Sequence, residues 1–262
     1  MPDRTTEDII AYYDDRATKH GTAGAATLYD ENMRLLEIET VQQWLDPSDV
    51  ALEIFCGNGV STLQFATRCR RIVACDFSEK MIEVARKNLA ERAPGRENVV
   101  FERRNILEID RAYAPGSFSA VISVRGLINL PSWELQQEAI RKVWGLLPPG
   151  GKFIFLEGSR EGLERINALR ATFSLRPLGE PWYDNHFDAA QLTAFMDALF
   201  ECRADRQLDP YFLVSRVLYP AACLPAEPEF GHLCNAVARL LVPHAQTGEG
   251  TTLLLCKLFV KR

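Results

Sequence analysis

From residue 50 onward, short apolar runs alternate with amphipathic stretches, the pattern of βα units laid on a parallel sheet. The runs cover residues 50–55, 72–75, 99–101, 120–124 and 153–156, and their continuity suits strands covered on both faces. Between them, Met81, Val84, Ala85 and Leu89 recur at helical spacing behind Ser78, a favourable N-cap. Leu135, Ala139, Ile140, Val143 and Leu147 predict a second helix that starts at Ser132 and is stopped by Pro148-Pro149-Gly150-Gly151. Ahead of the first run, residues 7–13 and 32–45 read as helices, a lid and a brace. Beyond residue 158, stretches 162–173, 188–200 and 230–241 read as helices, and 211–219 and 251–260 as strands. Periodicity alone assigns these last elements no topology. The fold class is α/β, doubly wound, with a helical lid over 1–49, a ligand-binding domain over 50–262, and substrate-side additions over 159–250.

Bulk properties narrow the partners. A chain of 262 residues with 47% apolar and 25% charged positions has an ordinary globular balance. Its net charge of −5 argues against a grip on nucleic-acid phosphates. The clusters Arg68, Arg70, Arg71 and Arg103, Arg104 abut strands and read as solvated rims. No apolar run approaches the roughly 20 residues of a membrane helix, and residues 1–16 are too polar and acidic for a targeting peptide. Seven cysteines without a C-x-x-C pair argue against a disulfide framework or a zinc site, and for a reducing cytoplasm. Four dispersed histidines point to no metal.

The chemistry concentrates where the first strand ends. Val50 to Thr62 runs strand, glycine turn, helix start, and Gly57 and Gly59 let bare backbone turn tightly against a ligand. A ligand there lies beyond the carboxyl ends of the strands, where the sheet reverses direction. Asp76 ends the second strand, where a carboxylate can accept from both hydroxyls of a ribose. Asn105-Ile106-Leu107 ends the third, where an amide and nearby backbone can read an adenine edge. A dinucleotide site wants a third glycine for close helix packing beside a pyrophosphate. This chain has Thr62 there, and Glu53 precedes the loop. S-adenosylmethionine (SAM) carries an ammonium and a sulfonium but no pyrophosphate, so the acidic strand end favours SAM over NAD.

Leu52 to Gly59, followed by Ala74 to Met81, resembles the first two motifs of class I SAM-dependent methyltransferases. The run Trp144 to Ile154 is similar to that family's approach to its fifth strand. The resemblance implies a Rossmann-like, mostly parallel seven-stranded sheet whose last strand is antiparallel, placing 251–260 between its neighbours. It implies that Glu53, Gly57, Asn58 and Gly59 line the methionine end of SAM. Asp76 would hold the ribose, Phe77 would pack on the adenine, and Asn105 and Ile106, with Leu107 beside them, would read its edge; Met81 is a further cofactor-side candidate, and Tyr13, on the helix ahead of the first strand, is expected to close over SAM. Asn105 departs from the family's usual aspartate, so an amide does a carboxylate's work. A looser likeness, through Asn129-Leu130-Pro131-Ser132-Trp133, Leu156-Glu157-Gly158 and Pro181-Trp182, is to bacterial small-molecule methyltransferases of sugar and natural-product pathways.

Methyl transfer is an in-line displacement at a reactive sulfonium carbon, so alignment and exclusion of water dominate. A hydroxyl or ammonium acceptor also needs a base. His186 is the first choice, because its pKa can sit near neutrality; Glu157 is a base or a binder of the acceptor. Substrate-side candidates are Tyr12, Arg125, Asn129, Trp182, Asn185 and Tyr211. Arg125 either grips an acceptor carboxylate or makes a rim ion pair; Trp182 either stacks on an acceptor or fills a core. The leading function is N- or O-methylation of a small molecule. The alternatives are methylation of carbon or of a protein side chain, and a SAM-fold protein that binds without turnover. The aromatic-rich C-terminal part either closes a pocket or makes a homodimer.

Overall fold

The computed structural model describes residues 5–245 and 250–262. Residues 1–4 of the expected lid and 246–249 of the expected additions lie outside the described residues. The sheet has seven strands in the order β3-β2-β1-β4-β5-β7-β6. They are β1 (Val50–Ile54), β2 (Arg71–Asp76), β3 (Val99–Arg103), β4 (Ala120–Val124), β5 (Lys152–Gly158), β6 (Phe200–Arg206) and β7 (Leu254–Lys261). β7 runs antiparallel to both β5 and β6, and the other pairings are parallel.

Alternation along the strands splits the core into two layers. Ala51, Ile72, Ala74, Ala120, Ile122, Ile154 and Leu156 face one cluster. Leu52, Ile54, Val73, Cys75, Val121, Phe153 and Phe155 face the other. The first layer is covered by α2 (Glu31–Trp44), α3 (Val60–Phe65), α4 (Glu79–Arg92), α6 (Arg160–Thr172) and the late helices. The second is covered by α5 (Trp133–Leu146) and α7 (Ala189–Met196). Both helix starts read from sequence stand. The Ser78 hydroxyl accepts from Met81 N at 3.0 Å, and Ser132 from Leu135 N at 3.3 Å.

α1 (Thr6–His20) is longer than the expected 7–13. It begins with a capping box between Thr5 and Asp8 and ends at Gly21. It lies across α4, where Asp14 accepts from the Ser78 hydroxyl at 2.5 Å.

Two expectations fail after β5. Residues 211–219 are helical, not a strand. α8 (Asp209–Leu213), a π-helical stretch (Val214–Leu218) and α9 (Tyr219–Cys223) run on continuously. Within 211–219 the buried positions are Tyr211, Phe212, Ser215 and Val217, which break the strict alternation of a half-buried strand; aromatic and branched side chains gave the stretch a strand-like composition. The stretch 188–200 divides, because α7 stops at Met196 and Phe200 opens β6. β6 escaped notice because it is an edge strand whose residues after Phe200 are largely polar and charged. α10 (Leu233–Leu241) completes the late helices. Among the described residues, no helix is long and apolar enough to cross a membrane.

α6 presses directly on the chain entering β7. An ideal Cβ on Gly162 would lie 2.1 Å from the Thr252 carbonyl oxygen. Gly162→Ala is therefore expected to destabilise the protein by about 1–3 kcal/mol, read as a lower urea midpoint; an unchanged midpoint would contradict this packing.

Candidate functional site

The strand tips converge at the point where the order reverses between β1 and β4. The bend after β1 needs its glycines. Gly57 and Gly59 have φ of 54° and 73°, in the left-handed region. A Cβ on Gly57 would lie 2.5 Å from Thr27 Cγ2, and one on Gly59 would lie 2.6 Å from the Phe101 ring. Asp76 ties this bend to the tip of β2. Its Oδ2 accepts from Gly57 N and its Oδ1 from Ser78 N, each at 2.9 Å. Each carboxylate oxygen has a further lone pair to offer a ribose hydroxyl.

Glu53 stands behind the bend, 4% exposed, with Oε2 buried and unpartnered. Burial pushes its pKa up to about 8, and burial raises that of Asp76 to about 6. An acceptor atom of this kind, set behind bare backbone, fits the ammonium of SAM. Asp76 fits its ribose, so the residues present suit that cofactor.

Tyr13, Thr27, Phe55, Phe77, Arg125 and Asn129 surround Asp76 and narrow the groove to about 40 Å³. On the far side of Phe77 a cleft of about 630 Å³ opens between Ile10, Arg103, Arg104, Asn105 and Arg111. The Asn105 side-chain oxygen accepts from Leu107 N at 3.0 Å, capping a short 3₁₀ turn (Ile106–Arg111), so its amide NH₂ is the group left for a ligand. Ile106 is buried in the core layer beneath.

A second cavity, about 440 Å³, adjoins the groove and shares Tyr13, Thr27 and Arg125 with it. Its walls include Tyr12, Tyr183, Asp184, His186, Asp30 and Arg216. Tyr12 stacks on Tyr183 with centroids 4.4 Å apart, joining α1 to the loop after α6; Trp182 meets both edge-on and is 49% exposed. Arg125, with φ 50°, donates from Nε to buried Glu37 at 2.7 Å, so it forms an ion pair while facing both spaces. Asn129 donates to Asp184 Oδ1 at 2.9 Å, and Asp184 Oδ2 stands 3.8 Å from His186 Nε2. The imidazole rests over Gly158, where a Cβ would lie 2.5 Å from its Cδ2. Its Nδ1 is buried without a hydrogen bond.

Several expected site residues are placed elsewhere. Glu157 cannot act as a base on an acceptor. Its Oε1 accepts from the Ser123 hydroxyl at 2.5 Å and from Gly126 N and Leu127 N, and its Oε2 accepts from Ile128 N. The carboxylate is fully buried and shapes the loop that carries Arg125 and Asn129. Tyr211 is a core residue whose hydroxyl donates to Asp30 at 2.5 Å. Asn185 is tied through its backbone to Ile128 and Gln136 and is not on the cavity wall. The Asn58 amide is buried and holds Gly21 O and Ala23 O, so it anchors the lid rather than a ligand. Met81 packs under the lid with Ala17 and Ala26.

Thr27, Asp30, Tyr183 and Arg216 line the spaces without having been expected. Only Tyr183, beside Trp182 in an aromatic loop, carried a signal; the Asp30–Arg216 pair joins residues far apart in the chain.

Residues 51–151 match a family model described as a methyltransferase domain. This stretch, from β1 to the turn before β5, is similar to methyltransferase domains. The demethylmenaquinone methyltransferase of Lactococcus lactis is 29% identical over 115 residues, covering 43% of each chain. A tRNA/tmRNA (uracil-C(5))-methyltransferase of Pseudomonas fluorescens is 42% identical over 67 residues, 26% of this chain and 18% of that protein. The chain thus spans less than half the length of these two relatives. Two solved structures extend the fold beyond the matched domain. Magnesium protoporphyrin IX methyltransferase (ChlM) from Synechocystis PCC 6803, with bound SAH, superposes with a TM-score of 0.62 at 15% identity, covering 98% of this chain and 100% of that one. The [4+2]-cyclase SpnF gives 0.62 at 17%, covering 100% and 98%. At these identities the likeness shows the fold alone.

The buried acids of the methyltransferase domain make its stability depend on pH. Glu53 binds its proton more tightly folded than unfolded, so its stabilising contribution is complete below about pH 4.5 and is lost as pH rises through about 8. Asp76 adds the same trend up to about pH 6. The urea midpoint of the ligand-free protein is expected to fall between about pH 5 and about pH 8.5. Glu53→Gln should flatten that fall and exceed wild type at the upper end by roughly 2 kcal/mol. Parallel pH profiles for the two proteins would contradict the assignment.

Proposed function

We propose that this chain transfers a methyl group from SAM to a nitrogen or oxygen atom of a small-molecule acceptor. The observation that carries the reading is the position of His186. It lies in the wall of a cavity that shares Tyr13, Thr27 and Arg125 with the groove over Asp76, and the Asn129–Asp184 hydrogen bond leads from that groove to the imidazole. SAM, when bound, supplies an electrophilic methyl on a sulfonium, so the protein's tasks are alignment, dryness and removal of a proton. Glu53, the bend at Gly57–Gly59 and Asp76 orient the cofactor end. Tyr12, Tyr13 and Tyr183 wall off water. His186 takes the acceptor's proton, and Asp184 steadies the imidazolium that forms, an arrangement suited to general-base catalysis worth roughly 10²–10⁴-fold.

Pocket size and aromatic walls support a compact organic acceptor over a polymer, and the chain's charge of −5 supports the exclusion of nucleic acid. Methylation at a carbon that is already nucleophilic would leave His186 a bystander. Binding without turnover is the alternative reading.

The test is S-adenosylhomocysteine (SAH) formation across a panel of phenols, amines and hydroxylated small molecules, with His186→Asn measured on the best acceptor. We expect turnover, with kcat down about 10²-fold or more in the variant, its acid limb lost from the pH–rate profile, and SAH affinity unchanged. Turnover with an unchanged profile would remove the base and favour a carbon acceptor; SAH binding with no turnover on any acceptor would favour the binding protein.

A further inference from the structure

The cavity beside His186 does not stand alone. Leu178, Arg216 and Phe230 also border a further cavity of about 560 Å³ that reaches under Ser174–Arg176 and the segment 224–230. Arg216 sits on the partition. Its Nη2 pairs with Oδ2 of buried Asp30, whose Oδ1 takes the Tyr211 hydroxyl, yet its Nη1 is buried with no acceptor. Arg170, 8% exposed, faces the rear cavity from α6. Its Nε donates to Arg176 O at 2.7 Å and its Nη1 to Arg216 O, both neutral carbonyls. No carboxylate pairs with it among the described residues. Of the two guanidinium groups, only Arg216 therefore has a carboxylate partner.

A buried cation without a counter-charge is costly unless something else supplies the charge. Burial and the nearby Arg216 both press on the Arg170 guanidinium. The acids that border the rear cavity, Glu227 and Glu229, are exposed on its lip, and neither is ion-paired with Arg170 or Arg216. A planar fork of N–H donors matches a carboxylate best. The partition between the two cavities, Leu178 and Phe230 beside Arg216, suits an apolar stem.

We propose that the rear cavity is an anion subsite for the acceptor. It takes the acidic group at the far end of an elongated acceptor, a carboxylate in the first instance, while the reacting end lies beside His186. The substrate class is an amphiphilic acid with a hydroxyl or amine at its other end. This inference rests on the acceptor-pocket reading above.

The probes are 4-hydroxyphenylalkanoates with side chains of three to eight carbons, together with their methyl esters. They are titrated calorimetrically into SAH-saturated protein. At the best length the acid is expected to bind about tenfold or more tightly than its ester, the scale of a charge-assisted pair. Ala226→Glu, which sets a carboxylate on the cavity lip, and Arg170→Gln should each shrink that gap to about twofold or less without changing SAH affinity. If Arg170→Gln does not fold, Ala226→Glu carries the test by itself. Equal affinity for acid and ester, no binding of either, or a gap that survives Ala226→Glu would overturn the subsite. Loss of SAH binding in the wild type would instead overturn the function on which it rests, so the two failures are distinguishable.

Discussion

One hydrogen-bonded carboxylate holds the site together. Asp76 spans the gap between the bend after β1 and the helix start after β2, accepting one backbone N–H from each. Without it, the tips of two parallel strands would carry unmatched donors and the glycine bend would have no fixed partner. The arrangement is electrostatically expensive, because Glu53 and Asp76 are both buried acids and Asp14 approaches from the lid. Backbone donors offset this cost for Asp76. Glu53 has a buried oxygen that accepts no hydrogen bond, with only the Thr62 hydroxyl near it to favour the charged form. An unmet acceptor behind a bare-backbone bend suits a cationic ligand, and the α-ammonium of SAM has that chemistry.

The same residue type does opposite work at a neighbouring strand tip. Glu157 is as deeply buried as Glu53, but four donors satisfy it, and its product is the shape of the loop after β4. That loop places Arg125 over the groove and Asn129 against Asp184. Glu157 thus positions the loop that borders the groove and the cavity beside His186. Satisfied and unsatisfied buried acids separate architecture from ligand chemistry more reliably than their place in a motif.

Much of this was legible from residues 50–157. Continuous apolar runs identify strands covered on both faces, Ser78 and Ser132 announce their helices, and glycines at 57 and 59 mark a bend that a Cβ would block. The order of β7 between β5 and β6 followed from family resemblance, not from periodicity. Legibility ended where partners are remote. Nothing adjacent to Glu157 says that its four donors come from residues 123–128, and nothing near Tyr211 names Asp30 as its partner. The helical run from residue 209 was misread because branched and aromatic side chains imitate a strand. β6 was missed because an edge strand carries charge. Asn58 looked like a cofactor contact through its neighbours, yet its side chain reaches two carbonyls of the lid.

The central claim is that Asp76 and the bend it holds cradle an adenosyl group. The direct measurement is a calorimetric titration of wild type and Asp76→Ala with SAH and with NAD. SAH should bind the wild type and lose about 100-fold or more in the variant, about 2.7 kcal/mol or more, while NAD binds neither. Tight NAD binding, or SAH affinity indifferent to Asp76, would contradict the account.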